Sequence, residues 1–186
     1  SGNATVCQRV VVSGHATITD ESIINGDAVI DGKAFVGNSA FVDDKTHISG
    51  NAKILKYAVV DGYAYITGDA LIESRHDYMV FQDNWLTGDP FTYTKSNKMW
   101  KTIWFYGTSK ELLEYAYKRS NTSGKNYELY VNLVNQLVDY ETISHSENKH
   151  KKLFDLINTD ELQHFLTVIA AEEEDLIMQE NWLDSD

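Results

Sequence analysis

The chain has 186 residues, 42% of them hydrophobic, which is enough for one large domain or two small ones. It carries no apolar run of about eighteen residues, which argues against a membrane span. The formal charge is −12, and its excess sits in the last third, which argues against direct nucleic-acid binding by that segment, and one cysteine, Cys7, excludes an internal disulfide framework. That cysteine usage, with no signal-peptide pattern at the start, fits a reducing, cytoplasmic setting. Charge is unevenly spread. Residues 1–75 hold six basic and nine acidic residues, residues 76–125 seven and five, and residues 126–186 three and fourteen.

From Gly2 to Glu73 the chain is twelve units of six residues, without insertion or deletion: GNATVC, QRVVVS, GHATIT, DESIIN and so on to GDALIE. The fifth place is always Val or Ile, from Val6 and Val12 to Ile66 and Ile72. The third is small or β-branched, and the first is mostly Gly, Asn or Asp. Side chains alternate along a strand, so places three and five share one face and place four takes the other. Gly, Asn and Asp tolerate the backbone angles of a corner. Each unit therefore reads as a short strand and a bend, stable only when stacked on others. Three units per turn make four coils, a prism about 19 Å long at strand spacing. Place four then sorts into three faces: Thr5, Ile23, Phe41, Val59; Val11, Val29, His47, Tyr65; and Thr17, Phe35, Lys53, Leu71. That is more outward apolar surface than a solvated wall needs, so Phe41, Val59 and Tyr65 are candidate binding residues.

The G-x-A-x-V/I-x units resemble the hexapeptide repeat of left-handed parallel β-helices, and the left hand is what that resemblance implies. The fold class expected is mainly β with an α-helical C-terminus. It comprises a four-coil left-handed parallel β-helix, an aromatic β-hairpin cap and a small helical segment. The matching divisions are 1–75 for the β-helix, 76–125 for the cap and first helix, and 126–186 for an acidic helical segment.

The repeat fails at Ser74-Arg75-His76-Asp77. Two strand-like runs follow, Asp77–Trp85 and Phe91–Tyr106, the second with a turn near Ser96-Asn97. The region is dense in aromatics and suits an end cap, since an open solenoid end must be covered. Interleaved Lys95, Lys98 and Lys101 also allow a stacking platform for bases, which makes Trp100 and Lys101 candidate binding residues. Thr108 with Glu111 makes a capping box that opens a helix running to about Arg119. Residues 121–126 read as a loop, residues 127–143 as a second helix, and residues 151–157 as a third. A fourth helix after Asn158 or Thr159 carries the acidic run Glu172, Glu173, Glu174 and Asp175, a candidate binding patch on an otherwise solvated face.

The block SRHDYMVF…WKTIWFYGTSKELLEYAY also resembles the segment after the coils in short phage- and prophage-encoded hexapeptide-repeat proteins. Ser74, Arg75 and Asp77 fit the turn that ends the coils there. Phe105-Tyr106-Gly107-Thr108 fits the junction into a helix, and the likeness stops near residue 118.

Hexapeptide-repeat proteins are commonly acyltransferases, and His15, His47 and His76, with Asp77 as an orienting group, are the bases such chemistry would need. The coils, however, have no loop leaving the prism to build a site, so no catalytic residue is assigned. No P-loop, G-x-G-x-x-G or G-x-S-x-G is present, and no cofactor is expected. His145 and His150 lie five apart in a polar stretch with Glu147 between them and no Cys beside them, so they read as solvated and no metal is expected. The function expected is a non-catalytic, phage-type interaction protein acting by protein–protein binding in the bacterial host cytoplasm. Its sharpest form is an inhibitor of a host nuclease or nucleic-acid-binding complex, of anti-CRISPR or anti-restriction type, with acidic surface occupying a site built for phosphates. The alternatives are an acyltransferase and a structural or assembly component of a phage. The oligomeric state stays open, a homo-oligomer included.

Overall fold

The computed structural model describes residues 2–82 and 88–144, the last four as backbone only. Two-residue strands recur every six residues and stack into three parallel walls. The first wall holds β1 (Thr5–Val6), β4 (Ile23–Ile24), β7 (Phe41–Val42) and β10 (Val59–Val60). The second holds β2 (Val11–Val12), β5 (Val29–Ile30), β8 (His47–Ile48) and β11 (Tyr65–Ile66). The third holds β3 (Thr17–Ile18), β6 (Phe35–Val36), β9 (Lys53–Ile54) and β12 (Leu71–Ile72). Thr5 pairs with Ile23, Val11 with Val29 and Thr17 with Phe35, so three units close one coil of a four-turn β-solenoid. In the first three coils each place-four N–H donates to a place-three carbonyl of the next coil, as Val11 N does to Ala28 O at 2.9 Å.

The inside is filled as the sequence pattern requires. Fifth-place residues from Ile24 to Ile72 and third-place alanines from Ala28 to Ala70 are buried. Coil one, packed on one side only, leaves Val6 and Val12 about half exposed. Place one takes positive φ at every unit from Gln8 to Gly68. Where it is not glycine, its side chain can bond across coils. Asp20 Oδ2 accepts Asn38 N–H at 2.8 Å, Asn38 Oδ1 accepts Lys56 N–H at 3.0 Å, and Asp44 Oδ2 accepts Gly62 N–H at 3.0 Å. Short amide and carboxylate side chains suit this corner because they tolerate the left-handed region and carry an acceptor.

The far end of the solenoid is closed by an antiparallel sheet. Its strands are β13 (Tyr78–Gln82), β14 (Pro90–Thr94), β15 (Met99–Lys101) and β16 (Tyr106–Gly107), paired in sequence order. A 3₁₀ turn over Arg75–Asp77 leads in. It is held by a capping box in which the Asp77 carboxylate accepts from Glu73 N, Ser74 N and Ser74 Oγ. The register puts Tyr78, Thr92, Lys101 and Tyr106 on the solenoid side of the sheet. Hydroxyls from the cap take the place of the carbonyls a fifth coil would offer. Thr92 Oγ1 accepts Tyr65 N–H at 2.9 Å, and Ser96 Oγ accepts Leu71 N–H at 2.8 Å. In return, Tyr78 Oη donates to Val59 O at 3.2 Å.

The opposite face of the sheet carries Phe81, Phe91, Tyr93 and Trp100, with ring centroids 5.0–6.1 Å apart in the contacting pairs. Helix α1 (Ser109–Arg119) covers it, and Trp100 Nε1 donates to Ser109 Oγ at 2.9 Å. Thr108 and Glu111 form the expected capping box at its start. Helix α2 (Asn121–Ser144) begins six residues earlier than the sequence suggests. The stretch from Asn121 to Asn126 is polar and contains Gly124, so its composition resembles a loop. The Ser120 hydroxyl nevertheless accepts Ser123 N–H at 3.0 Å, and Gly124 N–H reaches Ser120 O, which starts a helix where composition alone does not.

Ser1–Tyr127 form one compact unit and Glu128–Asp186 a second. In the second, the described stretch is the remainder of α2, which buries Val131 and Val134. The expected third and fourth helices lie outside the described residues. No described helix is long and apolar enough to cross a membrane.

Candidate interaction surface

Place-four side chains form the flat outer walls. On the first wall Phe41 and Val59 are half-buried, stacked in register with Ile23, which is 41% exposed. Two tyrosines border this wall at the fourth coil, Tyr57 at 82% exposure and Tyr63 at 48%. Place-two residues on the Tyr63 side stack as a column of alternating character. Arg9 grips Asp27 through two bonds of 2.6 and 2.7 Å, and Lys45 lies over the Tyr63 ring at 5.4 Å. Hydrogen bonding to Arg9 holds the Asp27 carboxyl below its usual range. On the second wall, half-buried Tyr65 packs at a 60° tilt beside His47 with ring centroids 6.2 Å apart, beneath β14.

The cap residues singled out from sequence separate. Trp100 is fully buried between the sheet and α1, so its ring builds the cap and offers nothing to a partner. Lys101 stays half-buried at the C-terminal end of β15, on the solenoid side of the sheet, its Nζ 3.5 Å from Ile103 O, and burial pushes its pKa down. The residue that sequence reasoning passes over is Trp104, which is 76% exposed at the tip of the β15–β16 turn. Glu172, Glu173, Glu174 and Asp175 lie outside the described residues.

The three histidines are not gathered. His47 Nε2 sits 3.2 Å from Asp31 Oδ2 on the second wall, His15 is exposed at a first-coil corner, and His76 is exposed in the 3₁₀ turn. Asp77, the residue expected to orient His76, spends its carboxylate on the turn's own backbone. An open depression of about 390 Å³ lies at the Asp20–Asn38 corner, lined by Asn3, Glu21 and Ser39 among others and by no histidine. Among the described residues no cluster of His, Cys, Asp or Glu could hold a metal ion.

Compared with protein-family models, with characterised proteins and with solved structures, the chain finds no match.

Proposed function

We propose that the protein is a non-catalytic interaction protein that works by binding another protein. It would be of the phage-encoded kind that its repeats and its segment 74–118 resemble. The observation that carries this reading is the first wall. An unbroken ladder of short strands presents Ile23, Phe41 and Val59 to the outside, framed by exposed Tyr57 and Tyr63. Apolar and tyrosine side chains on a rigid flat scaffold cost little to order and are the usual material of protein interfaces. The sharpest form is an inhibitor of a host nuclease or nucleic-acid-binding complex. There the carboxylates of residues 126–186 would occupy sites made for phosphates.

Affinity capture from bacterial lysate at rising salt, read by mass spectrometry, tests this. The expected result is one basic nucleic-acid enzyme, released as salt rises and lost with Phe41→Asp. Neutralising Glu172–Asp175 should weaken the capture. If it leaves the capture unchanged, phosphate mimicry by that run is wrong. The acyltransferase alternative gains if turnover of acyl-carrier substrates is seen and His76→Ala removes it. Large, concentration-dependent assemblies in sedimentation would favour the structural alternative.

A further inference from the structure

We propose that the turn joining β15 and β16 is an anchor for a partner protein. Trp104 enters an apolar pocket whose rim carries carboxylates that meet Lys101. This rests on the protein-binding reading above and assigns it a place on the cap.

Trp104 is 76% exposed, but its backbone is fixed. Thr102 Oγ1 accepts the N–H groups of Trp104 at 3.1 Å and Phe105 at 3.0 Å, and Thr102 N–H donates to Phe105 O at 2.9 Å. The Phe105 ring packs on Tyr115 of α1, centroids 5.2 Å apart. A large aromatic side chain held out on a rigid turn gives a partner much contact area at little ordering cost, the character of an interface hot spot. Ile103 and Tyr106 flank it at 37% and 42% exposure and widen the apolar contact.

Charge names the partner's chemistry. Residues 90–110 hold four lysines and no carboxylate, in a chain of net charge −12. Glu111, the next acid along, is bound to Thr108 in the capping box. Lys101 lies beside the turn, and its half-buried ammonium gains from a carboxylate brought against it. Lys101 thus complements a carboxylate on the partner's rim, while Asp69 of the fourth coil lies close enough to Tyr106 to help raise its pKa, after burial. Single-stranded nucleic acid fits less well, because such sites stack successive bases on several open rings. Here Phe91 and Trp100 are fully buried and Tyr93 is 6% exposed.

A random dodecapeptide display library, selected on the intact protein alone, with each enriched peptide then titrated against the intact protein and its Trp104→Ala variant, tests the assignment. The truncation removes an exposed side chain, so thermal melting should confirm an unchanged fold. Enriched peptides should join an aromatic or aliphatic residue to several acids. Their binding should weaken by at least about tenfold in Trp104→Ala and about threefold in Lys101→Gln, the second effect fading with salt. Peptides that bind intact protein and Trp104→Ala alike would overturn this site while leaving the protein-binding reading in place. A library without any binder would count against both. Binding of an oligothymidylate that disappears in Trp104→Ala would replace the protein partner with single-stranded nucleic acid.

Discussion

Gly50 is the place where coil stacking can be tested most directly. It belongs to the corner column Gly14, Gly32, Gly50 and Gly68, each with φ between 66° and 68°. An alanine at position 50 meets two costs. The first is the left-handed backbone itself, about 1–2 kcal/mol for a residue with a Cβ. The second is contact, because the new Cβ would lie 2.7 Å from Gly68 N and 3.1 Å from Gly68 O. Those are backbone atoms, so relief requires the fourth coil to shift under Tyr106, a strain of about 1–3 kcal/mol by analogy with overpacked cores. Gly62 supplies the control. Its φ is 72°, and a Cβ there meets nothing within 4 Å. Gly62→Ala should therefore lose about 1–2 kcal/mol and Gly50→Ala about 2–5 kcal/mol. Urea unfolding followed by far-ultraviolet circular dichroism gives both numbers from the midpoints at a shared slope. Equal losses in the two variants would refute the reasoning, since they would mean that neighbouring corners do not touch.

Three further outcomes follow from the same geometry. Thr92→Val keeps the buried shape but removes the acceptor of Tyr65 N–H, and should cost about 1–3 kcal/mol in the same unfolding assay. Thr46 is a third-place residue whose buried Oγ1 finds no partner among the described residues, whereas Ser22 Oγ donates to Thr19 O at 2.8 Å. Thr46→Val should accordingly raise stability by roughly 1 kcal/mol, and a loss would show that the hydroxyl is satisfied. Burial raises the pKa of Tyr78, whose hydroxyl must stay protonated to donate to Val59 O. A raised folded pKa gives stability that is whole below pH about 10 and fades as the pH rises through the folded value. Melting curves should show a shallower alkaline decline for Tyr78→Phe, set against about 0.5–1.5 kcal/mol lost at neutral pH with the hydrogen bond.

The solenoid is legible in the sequence because every unit meets the same local demand. Ile24, Ile48 and Ile66 are buried for one reason, and Asp20, Asn38 and Gly62 occupy the corner for one reason. Twelve repetitions make a period of six stand out from any propensity. The cap has no such redundancy, since each of its residues does a task that occurs once. Thr92 and Ser96 act as substitute carbonyls only because a coil end lies opposite, a relation between positions 25 or more residues apart that no window of sequence holds. The turn after β15 shows the cost to functional reading. It contains no Gly, Pro, Asn or Asp, so residues 91–106 read as two strands with a single turn near Ser96. The hydroxyl of Thr102 makes the second turn by accepting two N–H groups. That one side chain decides the fates of two tryptophans four residues apart, burying Trp100 completely and holding Trp104 out at 76%. Read as one strand, the two share a face, and Trp100 is the natural choice for contact with a partner. Once the chain turns at Thr102 the choice reverses, and the exposed indole belongs to the residue with no distinguishing signal in the alternation. Where a fold is repetitive, then, its scaffold is easily read, whereas its contact residues are set by single side chains that break the pattern.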